Sequence, residues 1–287
     1  MREAAIESPR PPEIELPSNR YLIHRLSDWL LPHAMALGIP ANAVSLAGLA
    51  LGLVAAGAYF HWDRPLLALL GWAAMMGWLV MDGLDGSLAR ATGTASPFGR
   101  FLDGFADYGV FVVVYLALVA SQPDPLTSLL LALAAGAAHA VQSALYEAQR
   151  ATYVRRQRRQ FHVPPRPVAG GPLERLYNRG EALLGHRETP VDAWLREMPR
   201  GEQDRALARW RDAAATVVRL MWPLSSNGRV HAILLACLAG APALFWWYEL
   251  TVLTVIAVVG HRRWQEIEQQ MPGPAGAARA PITGEQT

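Results

Sequence analysis

An all-α membrane protein with six transmembrane helices is the fold this sequence predicts, and three observations predict it. Of its 287 residues 52% are hydrophobic, and these gather in stretches of bilayer length separated by strongly polar ones. Within the polar stretches, apolar side chains recur at helical spacing. The arginines crowd at alternate turns, the distribution that orients helices across a membrane.

Residues 1–17 are polar and carry Pro9, Pro11, Pro12 and Pro17, so a disordered tail is expected there rather than a signal peptide. Residues 18–39 hold an interfacial amphipathic helix. Over 18–31, Tyr21, Leu22, Ile23, Leu26, Trp29 and Leu30 oppose Arg20, His24, Arg25 and Asp28, and Pro32 and Pro40 mark the exit. Residues 40–150 carry four spans, at about 41–60, 65–90, 99–120 and 126–150. Residues 151–226 form a cytoplasmic helical insertion with helical patterns at 173–185, 190–198 and 202–222. The last places Leu207, Trp210, Ala214, Val217, Val218 and Met221 on one stripe, expected to lie on the membrane surface. Residues 227–263 carry spans five and six, about 227–240 and 243–261, and 264–287 form a C-terminal tail. Trp246, Trp247 and Tyr248 read as an aromatic belt, and Ala132, Ala135, Gly136 and Ala138 as a face allowing close helix approach.

All 26 basic residues are Arg, which reads as codon bias in a GC-rich bacterial genome. They mark the interfacial helix, the 91–100 turn, the segment after 150 and the C-terminus, whereas the turns at 61–64, 121–125 and 240–243 hold only Arg64. By the positive-inside rule both termini and the 91–98 turn are cytoplasmic, in a bacterial inner membrane. Cys237 is the one cysteine, which excludes a disulfide framework. A formal net charge of +2 gives no reason to expect a nucleic-acid partner.

The second and third spans contain Asp82, Asp85, Gly86, Ala89, Arg90, Gly99, Asp103 and Asp107, four carboxylates within 26 residues. A carboxylate at mid-membrane costs about 2.5–3.5 kcal/mol on insertion scales, so four together require a compensating charge. A divalent cation is the obvious one, since hard cations take oxygen ligands and share them with phosphates. Asp82, Asp85, Gly86 and Ala89 fall at i, i+3, i+4 and i+7 of a helix, and Gly99, Asp103 and Asp107 recur every four residues, so each set shares a face. Two antiparallel helices joined at 91–98 bring these faces to one depth. Carboxylates converging there can hold two divalent ions about 3.5–4 Å apart, the clamp used in phosphoryl displacement. Gly86, Ala89 and Gly99 leave room for a nucleotide, and Arg90 can fork onto a phosphate. A lone Asp, a Gly-Ala face or a lone Arg is ordinarily a packing contact or a snorkelling charge. The eight together are a site.

This spacing resembles the CDP-alcohol phosphotransferase (CDP-alcohol phosphatidyltransferase) family at every fixed position of its motif. The resemblance covers residues 18–150 and, by pattern only, the last two spans. It implies that Asp82, Asp85 and Asp103 ligate metal, Mg2+ or Mn2+, with Asp107 completing a second metal site or acting as catalytic base. It implies that Gly86, Ala89, Arg90 and Gly99 hold the cytidine diphosphate moiety, that an acceptor hydroxyl attacks the donor phosphorus with release of CMP, and that the enzyme is a homodimer. Where many members carry Thr-Pro-Asn-x-x-Thr, this chain has Pro40-Ala41-Asn42-Ala43-Val44-Ser45, whose Asn42 and Ser45 are expected to cap the first span.

In the fourth span His139, Gln142, Tyr146 and Arg150, with Glu147 adjacent, form nearly one polar stripe and are expected to line the acceptor pocket. Arg150, Arg155, Arg156 and Arg229 are candidates for an acceptor phosphate or for anionic lipid. The expected activity is phospholipid synthesis, with CDP-diacylglycerol as donor and an alcohol as acceptor. Two alternatives are a soluble donor such as CDP-choline, CDP-ethanolamine or CDP-inositol with a lipid acceptor, and a cation transporter. Arg90 beside the carboxylates argues against the transporter, as a fixed cation repels the passenger, and no inverted repeat is evident.

Overall fold

The computed structural model describes residues 11–162 and 188–271. The helix expected at 173–185 lies outside the described residues, as do 1–10 and 272–287 of the two tails. A π-helical turn at Asn19–Ile23 leads into α1 (His24–Ala36). This helix buries Ser27, Leu31 and Ala34 and turns Leu26 and Trp29 outward, as the preceding turn does Tyr21 and Leu22 and as an interfacial segment should. Pro32, expected at the exit, sits inside α1 instead; burial of Leu31 and Ala34 on either side carries the helix past it.

Four long helices follow: α2 (Ala41–Phe60), α3 (Pro65–Thr92), α4 (Pro97–Ala120) and α5 (Pro125–Gln157). The last three begin on proline, whose fixed φ and missing N–H suit the first helical position. Ser96 and Asp124 cap α4 and α5 by accepting from the N–H groups of Gly99 and Thr127. Gly93, with φ of 68°, ends α3 in the left-handed conformation that glycine adopts without strain. Beyond the insertion come α6 (Pro190–Glu197), α7 (Arg200–Leu220), a 3-10 turn at Trp222–Leu224, and α8 (Ser226–Leu238). The chain ends in α9 (Ala243–Tyr248), a π-helical turn at Glu249–Leu253, and α10 (Thr254–Gln270).

The molecule is an all-α membrane protein. Among the described residues five helical stretches are long and apolar enough to cross a bilayer: Ala41–Phe60, Pro65–Thr92, Phe98–Ala120, Pro125–Gln157 and Ala243–Gln270. The expected fifth span, α8, has 13 residues. At 1.5 Å per residue it reaches about 20 Å, short of the roughly 30 Å hydrocarbon core.

Among the described residues the two larger of three apolar cores hold most of the fold, the third being Leu31, Ala34, Val44, Leu84 and Leu88. One lies among the spans, around Tyr59, Met75, Trp78, Val110, Leu118, Ile233 and Trp246. The other joins Tyr153, Leu195, Trp210, Val218, Met221 and Trp264 where α5, α7 and α10 meet the insertion. Three expectations change accordingly. The stripe of α7 packs on protein rather than on the membrane surface, with Trp210 only 2% exposed. Ile14, assigned to the disordered tail, is buried in the same core. Of the aromatic belt, Trp247 faces outward but Trp246 is fully buried. Ala132 and Ala135 are buried within the chain, whereas Gly136 and Ala138 are part-buried, with open space beside Gly136.

One face of α5 is buried along Ala132, Ala135, His139, Gln142, Tyr146, Gln149, Tyr153 and Arg156. Partway along α5 it meets a buried polar network. The Glu249 carboxylate accepts from Arg229 Nε at 2.9 Å and from the Tyr115 hydroxyl, with His139 Nδ1 3.2 Å away. Arg229 also donates to Gln142 Oε1 at 2.9 Å, Ser143 Oγ at 3.0 Å and the Leu224 carbonyl. The Glu249 carbonyl, at the head of the π turn, accepts from Gln142 Nε2 at 2.9 Å and Thr254 Oγ1 at 3.2 Å. Arg229, a candidate for phosphate or lipid, is therefore occupied by Glu249 and fully buried.

Removing one partner of such a pair leaves an uncompensated buried charge. Arg229→Met should lower unfolding stability in detergent by about 3–5 kcal/mol, with Arg229→Met/Glu249→Met recovering part of it. Strictly additive losses in the two single variants and the double would contradict this coupling.

Candidate active site

The carboxylates stand on the two helices that flank α2. Asn42, Ser45, Gly48 and Gly52 share one face of α2, and its glycines set how closely the neighbours approach. A Cβ on Gly48 would lie 3.2 Å from the Trp78 ring of α3, and one on Gly52 would lie 2.5 Å from Val110 Cγ2 of α4. Trp78 is one turn before Asp82 and Val110 one turn after Asp107. The absence of side chains on α2 thus lets both motif helices close around it at the depth of their acids.

There Asp82, Asp85 and Asp103 each bring one carboxylate oxygen within 4.8 Å of the others. Asp107, one turn beyond Asp103 on the same helix, stands outside that triplet. Asp85 is the most buried of the triplet and accepts from Ser45 Oγ at 2.5 Å. The expectation that Asn42 and Ser45 cap α2 is corrected: its N-cap is Pro40, without a side-chain bond. Ser45 is drawn across to a carboxylate, and Asn42 Oδ1 sits 3.5 Å from where a Gly99 Cβ would be.

At the open end of the cluster, Arg90 folds back along α3. Its Nη2 donates to Ser87 Oγ at 3.2 Å and its Nη1 lies 3.3 Å from the position of a Cβ on Gly86. Arg90 is exposed, so its guanidinium is available to an incoming phosphate. Ala89 and Gly99 are part-buried beside it. At the inner end Phe111, one turn past Asp107, meets Trp78 and His139 edge-on, with centroids 5.5 and 4.6 Å away. Aromatic rings thus form the floor.

Hard oxygen donors at this separation fit a divalent cation, which binds carboxylates at about 2.0–2.6 Å. The expected acceptor residues are divided. His139 and Gln142 face the buried Glu249 network. Tyr146 is buried in the second core, and Arg150 is turned off that line, pairing with Glu147 through Nε at 2.8 Å.

Ser45 as a partner of Asp85, and Glu249 as the partner of Arg229, were not assigned from sequence. Each carried a signal: a hydroxyl one turn into an apolar span, and two opposite charges in adjacent apolar helices.

No curated protein and no solved structure matches the chain. The family model of CDP-alcohol phosphatidyltransferase matches residues 39–164. That stretch contains α2 to α5, all eight motif residues and Ser45, and over it this membrane protein is similar to the CDP-alcohol phosphatidyltransferase family.

Proposed function

We propose that the protein moves a phosphatidyl group from CDP-diacylglycerol to an acceptor alcohol, releasing CMP, in phospholipid synthesis at the cytoplasmic face of a bacterial inner membrane. The observation that carries this reading is the cluster of Asp82, Asp85 and Asp103 within 4.8 Å, in a stretch that matches the family. Asp82, Asp85 and Asp103 would hold Mg2+ or Mn2+, with Asp107 completing the set for a second ion. Bound there, divalent ions neutralise the donor diphosphate and improve CMP as a leaving group.

The rest is chemistry of the chain itself. Arg90 binds a diphosphate oxygen, while Gly86, Ala89 and Gly99 let the cytidine diphosphate approach the backbone. Asp107, beside but not within the triplet, orients the acceptor hydroxyl and accepts its proton. Ser45 holds the Asp85 carboxylate in one orientation by donating to Oδ2. The acceptor enters along the flank of α5 that carries Arg150, with Tyr146, His139 and Gln142 supporting that wall. Arginines at 90, 100, 155, 156, 158 and 159 support a cytoplasmic location for this end of the bundle, by the positive-inside rule. A homodimer is the expected assembly, on the family resemblance.

The test is CMP release by the purified protein from CDP-diacylglycerol with glycerol 3-phosphate, serine, inositol, inositol phosphate or choline. One acceptor should support release that EDTA abolishes and Mg2+ or Mn2+ restores. Asp107→Asn should slow it by about 10²–10⁴-fold. Failure with every acceptor would favour a soluble CDP-alcohol donor with diacylglycerol as acceptor; failure with every CDP-alcohol would refute the reading. Ser45→Ala should leave the protein folded and raise the metal concentration for half-maximal activity about 10–100-fold. An unchanged metal dependence would show that the Ser45–Asp85 bond plays no part in it.

A further inference from the structure

Arg90 is the one cation of the motif, and a residue of its own helix holds it. Ser87, three residues earlier, donates its hydroxyl proton to the Gly83 carbonyl at 2.9 Å and accepts from Arg90 Nη2 at 3.2 Å. A serine hydroxyl has one proton and two lone pairs, so the bond back to the carbonyl fixes the rotamer and leaves a lone pair for the arginine. The guanidinium is thereby folded over Gly86, where a Cβ would lie 3.3 Å from Nη1. One N–H is taken by Ser87, and four of the five that a guanidinium carries remain for an oxyanion.

The Gly83 carbonyl is a firm anchor for Ser87. Gly83 stands between Asp82 and Asp85, and α1 and the turn before it press on it: a Cβ there would lie 3.0 Å from Ser27 Oγ and 3.6 Å from Ile23 Cγ2. Ser27, 2% exposed, donates to the Val80 carbonyl at 2.9 Å. The stretch of backbone that carries Asp82 and Asp85 therefore also carries the acceptor on which Ser87 hangs, so Arg90 is placed relative to these acids.

The same pairing occurs on α7, where Thr216 donates to the Asp212 carbonyl at 2.9 Å and accepts from Arg219 Nη2 at 3.2 Å. The geometry thus follows from a hydroxyl three residues before an arginine, and threonine serves as well as serine. On α7 the pair lies on the exposed surface, whereas on α3 it stands at the open end of the carboxylate cluster.

We propose that Ser87 is the positioning residue of Arg90, its hydroxyl holding the guanidinium over Gly86 to receive the donor diphosphate. The inference rests on the transferase reading above. An unrestrained arginine at a helix end loses rotamer freedom when it binds an anion, and Ser87 removes part of that loss before the diphosphate arrives.

Steady-state kinetics of the full-length protein, with each CDP-alcohol donor and acceptor that support CMP release, tests this. Ser87→Ala should raise the donor KM about three- to tenfold, with kcat and the acceptor KM within about twofold. Ser87→Thr should keep the wild-type donor KM, whereas Ser87→Val, of the same shape but without the hydroxyl, should raise it as alanine does. Alanine is the better helix former, so Ser87→Ala should not lower thermal stability. A hydroxyl with a merely structural role would show the reverse, lower stability with unchanged kinetics, and that result would overturn the proposal. So would a donor KM that falls in Ser87→Ala, since the bond to Arg90 would then be one that the diphosphate has to break. Should Ser87→Ala not accumulate, equal donor KM values in Ser87→Thr and Ser87→Val would overturn it too. A wild-type protein silent with every donor would refute the transferase reading itself, whereas an active wild type with unaltered variants refutes the role of Ser87 alone.

Discussion

Four carboxylates cannot share a few ångströms of a membrane interior without a reason to stay together, and everything near them supplies part of that reason. The glycines of α2 let the two motif helices approach; Ser45 donates to Asp85; the arginine that follows the acids folds over the opening. The rest of the bundle braces this arrangement. α1 is pinned to α3 by Ser27 donating to the Val80 carbonyl at 2.9 Å, two residues before Asp82, so the interfacial helix and the site share an anchor.

The second buried charge system, Arg229 with Glu249, is organised differently. Its members satisfy one another, and the π turn at Glu249–Leu253 turns a backbone carbonyl into one more acceptor for Gln142 and Thr254. The acids of α3 and α4 repel one another and form a group that could hold a cation, whereas Glu249 already has its counter-charge. Between the two systems stand Phe111 and His139, packed ring against ring. A site meant to receive charge and a network meant to be closed thus lie within two turns of α4.

Much of this was legible from the sequence because it depends on spacing. The i, i+3, i+4 pattern puts Asp82 and Asp85 on one face whatever else the chain does, and Pro65, Pro97 and Pro125 mark helix starts directly. What was not legible depends on partners distant in sequence. Ser45 reads as a cap until Asp85, forty residues on, is seen beside it. The stripe of α7 reads as lipid-facing because hydropathy cannot tell lipid from a protein core; Tyr153 and Trp264 decide that. Arg150 reads as one line with His139 and Gln142, yet the line actually buried continues through Gln149 and Tyr153, leaving Arg150 on the neighbouring flank.

The shortness of α8 bears on how the chain enters the bilayer. Its 13 residues include Arg229, whose counter-ion Glu249 is made only twenty residues later. By itself this helix is too short to span and carries a charge that a bilayer rejects. Once the following helix emerges, the two charges neutralise each other, and the turn at Gly240 allows the pair to enter as one hairpin. The hairpin from α8 to α10 would then be integrated in a single late event, after the helices bearing the acids are already in place.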